Sequence, residues 1–160
     1  MRSFTPREMI ANTLNIAWNF LPFHRRPYQS RESIRAYQLR QLGRLVDFAY
    51  RNVALYHEKY DQAGVRPNDL RTLEDLKHFP TVNKNDVLAA YPNGALARGL
   101  DLNRCLVSKS SGSTGQVLNV VHQADRLGIQ GLAMNRLFEL YGSYLPWHHL
   151  VYIYTSEYPA

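Results

Sequence analysis

A chain of 160 residues that is 45% hydrophobic and 20% charged has enough apolar material for one substantial core, which excludes a disordered tail and bounds it to one domain or a piece of a larger one. The 19 Lys+Arg against 13 Asp+Glu give +6, which favours anionic partners, but the cations are dispersed in short pairs such as Arg25-Arg26. The compact basic stripe of a nucleic-acid module is missing, so no nucleic-acid partner is expected. A single cysteine, Cys105, excludes an intramolecular disulfide and a cysteine zinc cluster and reads as a small buried apolar residue.

Met9 to Phe23 contains no charge and is interrupted by three asparagines. It is too short for a membrane span and no small-residue cleavage pattern follows, so a cytoplasmic location is the default expectation. Ile10, Leu14, Ala17, Trp18 and Leu21 recur at helical spacing while Asn12, Asn15 and Asn19 fall elsewhere, predicting an amphipathic helix that ends near Pro22. Its apolar face is expected to dock on the protein's own body. An anionic membrane surface, drawn by His24, Arg25 and Arg26, is the less favoured partner for residues 9–23. Residues 1–30 thus read as a helix and linker preceding the body, residues 31–160.

From Arg31 a longer helix is predicted, with Ile34, Tyr37, Leu42, Leu45, Val46, Ala49 and Val53 approximating one face. A second, Leu55 to Gln62, stops at Ala63-Gly64, and Arg66-Pro67-Asn68-Asp69 reads as a turn. Two capping boxes follow, Thr72 with Asp75 and Asn83 with Asp86, separated by the breaker His78-Phe79-Pro80. Tyr91-Pro92-Asn93-Gly94 is another turn. Arg104 to Ser108 and Val117 to His122 read as strands, Asp125 to Tyr141 as a helix, and Leu150 to Thr155 as a further strand. The class is α/β with a helix-rich first half.

Between the first two strands lies Ser110-Ser111-Gly112-Ser113-Thr114-Gly115, with Lys109 beside it. Glycines let several N–H groups turn toward one point and hydroxyls add donors, so such a loop suits a phosphate. Ser/Gly-rich hairpin loops that bind nothing are also common, and the residues alone leave both readings open. A Walker A loop and a nucleophile elbow fail on spacing, because the run here is Gly112-Ser113-Thr114-Gly115.

The Ser-Ser-Gly-Ser-Thr-Gly run resembles the phosphate-binding loop of adenylate-forming enzymes, which include acid–CoA ligases. Asn52-Val53-Ala54-Leu55-Tyr56, Ala63-Gly64-Val65, Leu73-Glu74-Asp75-Leu76, Phe79-Pro80-Thr81-Val82-Asn83-Lys84 and Tyr91-Pro92-Asn93-Gly94 resemble, in order and spacing, landmarks of phenylacetate–CoA ligases and their CapK-type relatives. The resemblance covers roughly residues 45–145. It implies that residues 31–160 form the N-terminal part of such an enzyme's large domain, with an incomplete sheet. It also implies that Ser110, Ser111, Gly112, Ser113, Thr114 and Gly115 hold the phosphates of ATP with magnesium, while a small carboxylic acid is adenylated and then passed to a thiol such as CoA. Lys109 is a candidate auxiliary phosphate contact.

Gln116 stands where many members of the family carry a lysine, removing one positive charge near the phosphates. The family's adenine pocket, magnesium-assisting acid, ribose-binding Asp and catalytic lysine all lie downstream of the loop, and nothing after Gly115 resembles them. No catalytic residue is assigned, and the expectation is a fragment that is inactive alone. A non-catalytic scaffold built on the same fold, peripheral to a membrane, is the alternative. A strand left uncovered at Leu150 to Thr155 would invite self-association into a homo-oligomer.

His148-His149 with Glu157 is a weak metal set, because neighbouring residues on a strand point to opposite faces, and no metal is expected there. The tyrosines at 141, 144, 152, 154 and 158 read as packing residues, and His122 as a surface residue at a strand end.

Overall fold

The computed structural model describes residues 4–110, 117–129 and 132. Two compact units are present: Tyr28–Asp101, and the described parts of residues 1–27 with 102–160.

The Tyr28–Asp101 unit starts from helix α1 (Arg31–Asn52), capped by the Ser30 hydroxyl, which accepts from the Ser33 amide at 3.2 Å. Its inner face buries Val46 and Ala49 and packs Leu39, Leu42 and Tyr50 against the core, while Leu45, assigned to that face from its spacing, is exposed. Val53 breaks the helix by adopting an extended conformation (φ −121°, ψ 112°), and helix α2 (Ala54–Gln62) begins at the next residue. This helix ends at Gly64, whose φ of +68° suits glycine. The Gly64 amide bonds the Asp61 carbonyl and the Val65 amide bonds the Tyr60 carbonyl, the pair of reversed bonds that closes a Schellman cap. Val46, Tyr60, Leu70 and Phe79 make up the core of the unit. The Tyr60 and Phe79 rings meet edge to face at 5.2 Å, a geometry worth about 0.5–1.5 kcal/mol beyond burial.

Carboxylates start the next turns. Asp69 accepts from the Arg66 amide at 2.7 Å ahead of the 3-10 turn Pro67–Asp69, and Asp75 accepts from the Thr72 and Arg71 amides at 2.7 and 3.0 Å ahead of Leu73–His78. This second segment is a 3-10 helix. With Phe79 forced extended by Pro80, the chain has no room for a longer α-helical ladder. Helix α3 (Lys84–Ala90) opens with the reciprocal Asn83–Asp86 box at 2.9 and 3.0 Å, and the Lys59 ammonium reaches Asp86 at 2.8 Å, tying α2 to α3. The following turn contains a cis Tyr91–Pro92 bond.

In the other unit, helix α4 (Pro6–Arg25) begins with a capping box: Thr5 donates its amide to Glu8 at 2.9 Å and accepts the Glu8 amide at 3.3 Å. Pro22 falls inside the last turn rather than ending it. Proline there lacks only the bond to the Trp18 carbonyl, and the ladder resumes with the Arg26 amide on the Pro22 carbonyl. Strands β1 (Cys105–Lys109) and β2 (Asn119–Gln123) pair antiparallel, from Cys105 opposite Gln123 to Lys109 opposite Asn119. A 3-10 turn, Ala124–Arg126, leads into helical residues 127–129. The expected remainder of that helix to Tyr141, and the strand Leu150 to Thr155, lie outside the described residues.

How α4 docks differs from the expectation. The side that meets the Ala124–Arg126 turn is the asparagine side, and Ile10, Leu14, Trp18 and Leu21 are 61%, 65%, 83% and 51% exposed. The cause is hydrogen bonding at a helix start. Asn12 Nδ2 donates to the Ala124 carbonyl at 2.8 Å, Asn15 Nδ2 to the Asp125 carbonyl at 3.0 Å, and Asn12 Oδ1 accepts from the Gly128 amide at 2.8 Å. The asparagine side chains thus bond backbone groups of the turn and of the helix start that follows it, and only the asparagine side of α4 carries such groups. Gly128 permits the approach, since a Cβ there would lie 2.9 Å from Ile16 Cγ1.

Candidate phosphate-loop site

The β1–β2 pair delivers the glycine-serine loop at one end. At its mouth the Ser110 amide donates to the Leu118 carbonyl, and the Leu118 amide donates to Ser110 Oγ, both at 2.9 Å. The Ser110 hydroxyl thus stands in the ladder where a backbone carbonyl would, fixing residue 110 against residue 118 across the loop. A hydroxyl has two lone pairs and one proton, so accepting from Leu118 leaves its O–H to donate.

Lys109 is the last residue of β1, exposed and paired with Asn119. Strand alternation puts it on the same face as Cys105 and Val107, with Cys105 buried at the far end. On the opposite face Ser108 Oγ lies 3.0 Å from His122 Nε2, so His122, read from sequence as a surface residue, is half-buried and engaged with β1. Cross-strand neighbours two positions off register share a face, and the register that pairs Leu106 with His122 and Ser108 with Val120 is what brings this pair together.

Ser111, Gly112, Ser113, Thr114, Gly115 and Gln116 lie outside the described residues, as do His148, His149, Glu157 and the tyrosines from 141 onward. Among the described residues no group of three His, Cys, Asp or Glu side chains could hold a metal ion. No helix there is long and apolar enough to cross a membrane.

The landmarks that carried the sequence resemblance converge in the Tyr28–Asp101 unit. The Leu55 amide bonds the Gly94 carbonyl at 3.0 Å and the Arg98 amide the Asn52 carbonyl at 2.8 Å, so the Asn52–Tyr56 and Tyr91–Gly94 stretches are held side by side. Phe79 enters the core beside Tyr60.

This arrangement has a counterpart among solved structures. An open conformation of 2-hydroxyisobutyryl-CoA ligase, in complex with 2-HIB-AMP and CoA, matches 63% of this chain and 24% of its own, with a TM-score of 0.54 and 25% identity. The fold is therefore that of a stretch of an acyl-CoA ligase. Curated relatives narrow the class: the phenylacetate-coenzyme A ligase of Thermus thermophilus is 41% identical over 86 residues, 54% of this chain and 19% of that protein. The corresponding ligase of Escherichia coli is 37% identical over 85 residues, 53% of this chain and 19% of that protein. No family model matches the chain. The chain is thus related to phenylacetate–CoA ligases, as its landmarks indicate, and spans about a fifth of the length of the curated relatives it matches.

Proposed function

We propose that this chain supplies the triphosphate-binding loop of an ATP-dependent acid–CoA ligase. The observation that carries the reading is the Ser110–Leu118 clasp, which joins β1 and β2 at the base of a six-residue serine-glycine run beginning at Ser110. Ser110, Ser111, Gly112, Ser113, Thr114 and Gly115 would hold the β- and γ-phosphates, with Lys109 as an auxiliary cation. Their amides and hydroxyls stabilise the negative charge that collects on pyrophosphate as the substrate carboxylate attacks the α-phosphorus and the bond to pyrophosphate breaks. Magnesium, when bound, shares that charge. A thiol such as that of CoA then displaces AMP from the acyl group. The relatives' names support a small aromatic acid as the substrate class.

The proposal takes the sites for adenine, ribose and the acid from outside these residues, and the chain by itself is inactive in it. Titration with magnesium tripolyphosphate, followed through the amide resonances of Ser110 and Leu118, tests the loop. Both shift in the proposal, and AMP at the same concentration moves neither; equal response to AMP, or none to tripolyphosphate, contradicts it. Acid-dependent exchange of pyrophosphate into ATP by this chain alone would contradict its incompleteness. A second reading, a non-catalytic scaffold on the same fold, is favoured by the exposed apolar side of α4 and predicts no response to tripolyphosphate.

A further inference from the structure

Helix α4 is two-sided in an unusual sense. Its asparagine side is committed to the protein through Asn12 and Asn15, and among the described residues nothing covers its apolar side, which is exposed. At 3.6 residues per turn, Ile10, Leu14, Trp18 and Leu21 form one stripe along the helix, and Arg7 and Arg25, five turns apart, fall on that same stripe at its two ends. Both arginines are exposed. The helix's acidic residue, Glu8, is buried in the Thr5 cap, away from the stripe.

Charge decides between occupants. A second copy of the stripe would bring Arg7 against Arg7 in a parallel pair and Arg7 against Arg25 in an antiparallel one, with no carboxylate on the stripe to compensate in either case. An anionic surface meets both ends favourably. A flat bilayer also accommodates the exposed indole of Trp18, whose amphipathic ring suits the headgroup level, and the long arginine stems can lie along acyl chains while their guanidiniums reach phosphates. We propose that α4 is an interfacial helix that lays Ile10, Leu14, Trp18 and Leu21 onto an anionic lipid bilayer, with Arg7 and Arg25 on the lipid phosphates, while Asn12 and Asn15 hold the segment after β2 to its other side. This inference stands independently of the phosphate loop.

The test is flotation of the full chain with vesicles of phosphatidylcholine containing about one-fifth phosphatidylglycerol, against vesicles of phosphatidylcholine alone. The chain floats with the anionic vesicles, and salt weakens the association. Leu14→Asp and the pair Arg7→Glu with Arg25→Glu each reduce binding by about tenfold or more. All three positions are exposed, and circular dichroism checks that each variant is folded. As a measurement that needs no disruptive variant, anionic vesicles shift the wild-type tryptophan emission to the blue, and Trp18→Phe removes the shift. Absence of flotation with anionic vesicles, equal flotation with both compositions, or a wild-type dimer abolished by Leu14→Asp would overturn the proposal.

Discussion

The Leu55 amide donates to the Gly94 carbonyl at 3.0 Å, closing a contact between two residues 39 positions apart in sequence. Gly94 sits tightly there: its own amide bonds the Ala90 carbonyl at 2.7 Å, and a Cβ would lie 3.2 Å from both the Ala90 carbonyl oxygen and its Cβ. The turn after α3 is thereby packed onto the start of α2, and Lys59–Asp86 ties the same two helices a short way off. The Tyr28–Asp101 unit consequently rests on a few long-range contacts around one small core, which makes its response to substitution specific.

Phe79→Ala is the sharpest test of that core. Phe79 is 7% exposed, packs edge to face on Tyr60 and follows the 3-10 segment whose end it fixes. Truncation should destabilise by about 3–5 kcal/mol, read as a lowered midpoint in urea with little change in slope.

Two glycines should respond oppositely to alanine. Gly128→Ala drives a methyl into Ile16 and the Asn12 carbonyl, at 2.9 and 3.0 Å, and should destabilise by about 1–3 kcal/mol. Gly43→Ala, inside α1 with nothing near the added carbon, should stabilise by about 1 kcal/mol. Thermal melts of the two variants side by side check the contrast.

Asn12 carries three hydrogen bonds, two of them to the segment after β2. Asn12→Ala leaves the Ala124 carbonyl and the Gly128 amide without that partner, and about 1–3 kcal/mol should be lost. Asn12→Asp should be worse, because an acceptor then faces the Glu8 and Ala124 carbonyls. Faster hydrogen exchange at Gly128 in both variants is the expected signature.

Acid should weaken the Tyr28–Asp101 unit. The Asp86 carboxyl lies below its ordinary 3.8, first through the hydrogen bond from Lys59 and then through the Asn83 amide. Asp61 is lowered chiefly by the Tyr50 hydroxyl and Asp75 by the Thr72 amide, each from 3.8, and Glu74 by Arg35 from 4.5. Groups depressed on folding contribute stability that is complete above their unfolded values and is lost as pH falls through the folded ones. Stability should therefore hold down to about pH 5 and decline below it, and Asp86→Asn should lower stability at neutral pH while flattening the decline. A series of melts between about pH 3 and 7 reads both effects.

The caps and turns of the Tyr28–Asp101 unit were legible in the sequence because each depends on residues within a few positions. Asn83 with Asp86 and the Ala63-Gly64 stop form as local chemistry requires, and so do the two strands flanking the loop, within about two residues. Helix α4 was legible as a helix but not in its docking. Periodicity shows that Ile10, Leu14 and Trp18 share a side, yet the side that docks is chosen by asparagine hydrogen bonds to the backbone at Ala124–Gly128, over a hundred residues away. The Ser108–His122 contact was hidden for a related reason, since it depends on the strand register. The Thr5–Glu8 box was available from spacing and is the signal that moves the start of α4 back to Pro6.

Residues 110–115 should bind the triphosphate of ATP, which a thermal melt with and without magnesium-ATP, in wild type and in Gly112→Val, measures. A valine at Gly112 blocks close approach of phosphate to the backbone. In the wild type ATP should raise a cooperative transition, by about 2.7 kcal/mol of stabilisation at a hundredfold excess over Kd, and in Gly112→Val it should leave the transition unmoved. A cooperative melt that ATP leaves unchanged, or raises equally in both proteins, would contradict triphosphate binding by the loop.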